Sequence, residues 1–223
     1  MRIASFNIEK NGQSSTLEKQ TQVNGFIDLC SKELNVHLVF ICEVHSSRLD
    51  DFTGHLSTVY SQYHVFPFKG GYSNGYIVMA DKTVSIAVDS QGKLLGLTRP
   101  LIAATAESVA KYTGYILLAH FKSGQTDLTK KQINECAEAL GGRWVITGDL
   151  NYDVRSVESL NPPGLAYDCW KGEMTHAKGG ILDWVLASPD VAVEPVDLTG
   201  LKTFFDMTGP DHRPIIFDVY NKT

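Results

Sequence analysis

The chain has 223 residues, 43% of them hydrophobic and 20% charged, with a formal net charge of −5. That apolar fraction supplies a folded core and excludes a disordered polyelectrolyte. The acidic balance excludes gripping nucleic acid through overall positive charge, while leaving room for a local basic groove.

Met1 is followed at once by a strand-like run over 3–6, with no basic and apolar leader before it. No apolar run approaches membrane-spanning length. The expectation is a soluble chain without a secretion signal. It would be cytoplasmic if Met1 is the true start, and secreted or translocated if the chain is a processed form. Residues 15–34 predict a helix: Ser15 and Glu18 have capping-box spacing, and Val23, Phe26, Ile27, Cys30 and Leu34 share one face. A second helix is expected over 127–140, with Ile133, Cys136, Ala137 and Leu140 as its stripe and Gly141-Gly142 at its end. The other apolar segments, 37–42, 75–80, 83–88, 115–121, 144–147, 182–187 and 214–219, are short and β-like. Residues 70–75 form a Gly-rich turn, and Asn161-Pro162-Pro163 a short surface loop. Without repeats or linkers, 1–223 reads as a single domain of layered sheets with helices outside. Cys30, Cys42, Cys136 and Cys169 lack CxxC spacing and predict buried free thiols rather than a zinc site or disulfides.

The functional signal lies where the apolar runs stop. Ile3-Ala4-Ser5-Phe6 ends at Asn7, and 38–42 ends at Glu43. The run 115–119 ends at His120, and Trp144-Val145-Ile146 leads through Gly148 to Asp149 and Asn151. Asp211-His212 precedes Ile215-Ile216-Phe217. Taken alone, Gly148-Asp149 reads equally as a turn, with Asn151 as a helix cap. Five junctions drawn from amides, carboxylates and imidazoles point instead to strands delivering polar groups to one shared site. Glu43 and Asp211 are hard oxygen ligands suited to Mg²⁺, with Mn²⁺ or Ca²⁺ as alternatives. His120 and His212 can donate to a phosphate or exchange protons near neutral pH. Asn7 and Asn151 can orient ligands without adding charge. Asp183, in an apolar strand, needs a partner; an imidazole would provide one, and backbone amides or an arginine are the alternative.

These residues resemble the endonuclease/exonuclease/phosphatase superfamily. The likeness is carried by Phe6-Asn7, Cys42-Glu43, Ala119-His120, Gly148-Asp149-Leu150-Asn151, Leu182-Asp183-Trp184 and Pro210-Asp211-His212-Arg213-Pro214, in the family's order across nearly the whole chain. The resemblance implies an α+β fold, a four-layered αββα sandwich of two mainly antiparallel sheets with outer helices. It implies that Glu43 ligates a divalent metal with Asn7 and Asp211 nearby, and that His212, oriented by Asp183, is a general base or phosphate-contacting imidazole. It further implies that Asp149 and Asn151 position the attacking water and the phosphate, and that His120 is the second histidine of the deoxyribonuclease I-like and phosphatase branches. Thr98-Arg99-Pro100-Leu101 looks most like the catalytic subunit of cytolethal distending toxin, in which case Arg99 contacts substrate phosphate; a surface arginine before a proline turn is the plainer reading. Three positions depart from the family pattern: Cys42 replaces Gln, Pro210 replaces Ser and Phe6 replaces Trp.

The function implied is a metal-dependent phosphodiesterase, a monomer cutting DNA with low sequence specificity. The alternatives are a phosphatase of phosphoinositides or another small phosphoester, and a non-catalytic binding module. Specificity is assigned to loops around 44–55, 68–75, 122–127 and 152–180. His37, His45, His55, His64 and His176 have no metal-ligand spacing and read as structural; Lys69 and Lys122 read as solvated. Trp170 and Trp184 read as core or rim aromatics, and Tyr72 as a candidate stacking residue.

Overall fold

The computed structural model describes residues 1–11, 15–70, 73–91 and 101–223. Its strands are β1 (Arg2–Asn11), β2 (Leu38–His45), β3 (Tyr63–Lys69), β4 (Asn74–Asp81), β5 (Ile86–Gln91), β6 (Leu101–Val109), β7 (Tyr112–His120), β8 (Trp144–Asp149), β9 (Leu165–Tyr167), β10 (Asp183–Ala187), β11 (Val191–Pro195) and β12 (Ile215–Asn221). The helices are α1 (Leu17–Asp28), α2 (Leu49–Val59), α3 (Thr126–Ala139) and the short α4 (Val157–Leu160).

Two mixed six-stranded sheets result, one ordered β11-β12-β1-β2-β4-β3 and the other β5-β6-β7-β8-β10-β9. Each contains one parallel pair, β1 with β2 and β7 with β8, and its other neighbours are antiparallel. Parallel neighbours need a crossover. Helix α1 supplies it in the first sheet and α3 in the second.

Strand alternation explains why the central runs are apolar throughout. On β8, Val145 enters the core shared by the two sheets, while Trp144 and Ile146 face the second core beneath Ile133, Cys136 and Ala137 of α3. On β10, Val185 and Ala187 join the inner core, and Trp184 and Leu186 the outer one. Across the first sheet, Phe6 meets Phe26 of α1 edge-on, with ring centroids 5.0 Å apart. The layers are therefore helix, sheet, sheet, helix, as the resemblance implied. The four cysteines are free and buried. Among the described residues no helix is long and apolar enough to cross a membrane.

Several boundaries differ from the sequence reading. Thr16, not Ser15, caps α1, its hydroxyl accepting from Lys19 N–H. The helix then passes into a π-helical turn over Leu29–Glu33. Residues 49–59, which overlap the loop expected around 44–55, form α2. β5 starts at Ile86 because Asp81 draws Thr83 N–H and hydroxyl into a turn. β2 continues to His45 past a register shift at Glu43, whose φ is +60°. Beside it β1 shifts between Asn7 and Asn11, where Glu9 and Lys10 also have positive φ. Bulges of this kind re-aim side chains.

Candidate active site

Three strands of the second sheet bring polar groups to one level. His120 ends β7, Asp149 ends β8 and Asp183 begins β10, and the register places His120 beside Asp149 and Asp149 beside Asp183. Alternation along each strand puts the three on the face of Leu118, Val145 and Val185, toward the first sheet. Asn7 meets them there. Its Nδ2 donates to Asp149 Oδ2 at 2.9 Å, and its Oδ1 accepts from Glu9 N–H at 2.9 Å.

The bulge at Glu43 aims that side chain at the same place. Glu43 Oε1 lies 3.3 Å from His120 Nε2, and Asp149 Oδ2 lies 3.5 Å from the same nitrogen. A non-glycine residue in the left-handed region costs roughly 1–3 kcal/mol and persists only where its surroundings hold it. Asp149 Oδ1 accepts from Asn151 N–H at 3.0 Å, while Asn151, with φ +47°, donates through Nδ2 to Phe121 O at 2.9 Å. The segment is thus both a turn and a polar edge. The turn is what presents the carboxylate.

His212 arrives from the segment before β12. Its Nδ1 bonds Asp183 Oδ2 at 2.8 Å, and its Nε2 lies 3.7 Å from Asp149 Oδ2 and 3.8 Å from Asp211 Oδ1. A continuous chain of contacts runs Glu43, His120, Asp149, His212, Asp211. Burial works against charge on His212, but Asp183, Asp149 and Asp211 outweigh it and push its pKa from 6.5 up to about 10. Burial raises the Asp183 carboxyl above the usual carboxylate range, and His212 opposes that rise. The ligand atoms of Asp149, Asp183 and His212 lie within 4.8 Å of one another, as do those of His176, Asp211 and His212.

Residues read as structural or not singled out complete the frame. Thr175 Oγ1 accepts from Leu182 and Asp183 N–H groups, tying the 172–180 turns to the start of β10. Ala177 N–H donates to Asp211 O and Arg213 N–H to Thr175 O, each at 2.8 Å, which sets His176 beside His212. Arg213 lies over the Trp170 ring and donates to Phe205 O and Met174 O; Trp170 Nε1 donates to Pro214 O. Trp184 Nε1 donates to Tyr152 O. Both tryptophans are fully buried as expected, and each also pins a segment bearing site residues. His37 Nδ1 accepts from Arg2 N–H on β1, and His45 Nδ1 accepts from the nearby Ser47 N–H, both hydrogen-bonded roles. His176 differs from these in lying at the site, its Nε2 3.4 Å from Asp211 Oδ2. No sequence signal marked it, because the bridge to 211–213 is what brings it beside Asp211. Arg99 and Tyr72 lie outside the described residues.

A four-layered αββα sandwich with carboxylates and imidazoles gathered where the two sheets meet is an architecture of phosphoester hydrolases. The sequence agrees: residues 4–203 match the Endonuclease/Exonuclease/phosphatase family, and the chain belongs to it. No curated protein matches it significantly. Among solved structures, the human Nocturnin catalytic domain with bound sulfate superposes with a TM-score of 0.67 at 13% identity, covering 100% of this chain and 94% of that one. A humanized D. rerio TDP2 gives 0.69 at 15% identity, covering 99% of each chain. The mannosyl-6-phosphatase Bt3783 of Bacteroides thetaiotaomicron gives 0.63 at 12% identity, covering 98% of this chain and 99% of that one. At these identities the likeness is one of fold.

Proposed function

We propose that the chain, working as one domain and as a monomer, is a Mg²⁺-dependent phosphodiesterase of the deoxyribonuclease I-like kind that cuts DNA with low sequence specificity. The observation that carries this reading is the 2.8 Å Asp183–His212 pair set within one contact chain with Asp149, Glu43 and Asp211. Such a set suits a hard divalent cation. Its carboxylate oxygens outnumber its imidazoles, and without a cation that excess charge is what holds the His212 proton. Glu43 and Asp211 are the ligands we assign, with Asn7 offering the second lone pair of its Oδ1. When bound, a cation supplies phosphate charge neutralisation and a more acidic water.

The chain's own groups have distinct tasks in this scheme. Asp183 fixes the His212 ring, so that Nε2 is the nitrogen turned to substrate. With its proton, His212 is a donor to a phosphate oxygen; a cation held by Glu43 and Asp211 would oppose that proton and move the ring toward the base role. Asp149, oriented by Asn7 and by Asn151 N–H, is placed to accept a hydrogen bond from the attacking water. Asn151 shapes the turn beneath it, and His120 lies between Glu43 and Asp149 as their shared neighbour. Arg99 is assigned to substrate phosphate.

Family membership and the likeness of residues 98–101 to a nuclease branch support DNA as substrate. The fold shared with a mannosyl-6-phosphatase supports the second reading, a small phosphoester such as a phosphoinositide. Purified protein and its His212→Ala form, given supercoiled plasmid or phosphoinositides with Mg²⁺ or EDTA, separate them. Nicking that needs both Mg²⁺ and His212 is the expected result. Phosphate release without nicking would replace the first reading with the second.

A further inference from the structure

Asp211 is the most exposed of the site's carboxylates, its side chain 27% accessible against 17% for Glu43, 2% for Asp149 and 1% for Asp183. An exposed carboxylate has rotamer freedom to lose when it binds a cation. Something must hold it if it is to act as a preformed ligand. His176 stands at the right place. Its Nε2 lies 3.4 Å from Asp211 Oδ2, while the other oxygen, Oδ1, lies 3.8 Å from His212 Nε2. The carboxylate therefore sits between two imidazoles, whose rings meet edge-on with centroids 4.7 Å apart. The flanking backbone bonds from Ala177 to Asp211 and from Arg213 to Thr175 fix His176 relative to this pair.

The tautomer of His176 decides what it can do. Its Nδ1 accepts from Lys178 N–H at 3.3 Å. A nitrogen that accepts carries no proton, so in the neutral ring the proton is on Nε2, beside Asp211. A protonated Nε2 has no lone pair for a metal. In that tautomer His176 presents an N–H, 3.4 Å away, to the Asp211 carboxylate, whose other oxygen faces His212.

We infer that His176 is a positioning residue for Asp211, its Nε2–H holding the carboxylate in the orientation that receives the cation. The inference rests on the assignment of Asp211 as a ligand under the proposed function. It predicts that the donor matters, not the ring.

Mn²⁺ binding followed by electron paramagnetic resonance, without substrate, tests it on wild type, His176→Phe, His176→Gln and Asp211→Asn. His176→Phe keeps a ring edge for His212 but has no donor, and weakens Mn²⁺ affinity about tenfold, the scale of a lost outer-shell partner. His176→Gln, whose amide N–H reaches a similar position, retains affinity within about threefold. If the Phe form does not fold, His176→Ala makes the same comparison. Wild-type affinity in the donor-less form, or equal weakening in the Gln and Phe forms, overturns the inference. Unchanged binding in Asp211→Asn would instead remove the ligand assignment on which it rests.

Discussion

Asp183 is a carboxylate fully buried on an apolar strand, a placement that costs several kcal/mol unless it is paired. His212 is that pair, and the two depend on each other. Asp183→Asn removes the charge and offers an N–H donor in place of one acceptor oxygen, which loosens the Nδ1–H tautomer. Phosphodiester cleavage should fall by about 100-fold or more, with substrate KM little changed; steady-state kinetics with plasmid or a chromogenic diester measures it. The metal-free protein carries a pH signature of the same pair. Because folding pushes the His212 pKa from 6.5 up to about 10, its stabilising effect is fully present below 6.5 and is lost as pH rises through about 10. Urea unfolding in EDTA should therefore show stability falling across that window, with a smaller fall in His212→Gln. Equal pH dependence in both proteins would contradict the electrostatic account of the pair.

At the scale of elements, β8 carries the tightest constraint. Gly148 has φ +132°, and a Cβ there would stand 2.0 Å from Ala119 O on the parallel neighbour β7. Neither the conformation nor the space admits a side chain. Gly148→Ala should destabilise the protein by about 3 kcal/mol, the combined scale of backbone strain and overpacking, with an unchanged m-value in urea. The strands legible in the sequence were those whose apolar runs are buried on both faces: β1, β2, β4, β7, β8, β10 and β12. Their polar termini could be read as a site because a carboxylate held at the end of a buried strand is costly to desolvate unless it meets a partner or a ligand there. β3 and β11 were illegible because they are edge strands with exposed polar positions among the buried ones. α2 buries only Leu49 and Leu56 and includes Gly54, Thr53 and Thr58, weak helix formers that hide its period. The bulge at Glu43 and the tautomer of His176 were also illegible. Both depend on residues far away in sequence or on backbone geometry that no local pattern encodes.

The whole molecule places its site between two sheets of matching design, each with one helix-crossed parallel pair near its centre. Asn7 from the first sheet and Asp149 from the second are joined by a bond spanning 142 residues of sequence, so loss of sheet packing and loss of the site should coincide. The same frame hosts phosphoester hydrolases with different substrates, which is why the contact chain argues for a reaction class and the surrounding loops for a substrate. In the proposed reaction, Glu43 and Asp211 hold a cation which the Asp183–His212 pair and Asp149 need for cleavage. The most direct test is the rate of supercoiled plasmid nicking as Mg²⁺ is titrated, for wild type and Glu43→Gln. Wild type should nick saturably with Mg²⁺ and lose that activity in EDTA. Glu43→Gln should need at least about tenfold more Mg²⁺ or be inactive. Nicking that survives EDTA, or identical Mg²⁺ curves for the two proteins, would contradict it.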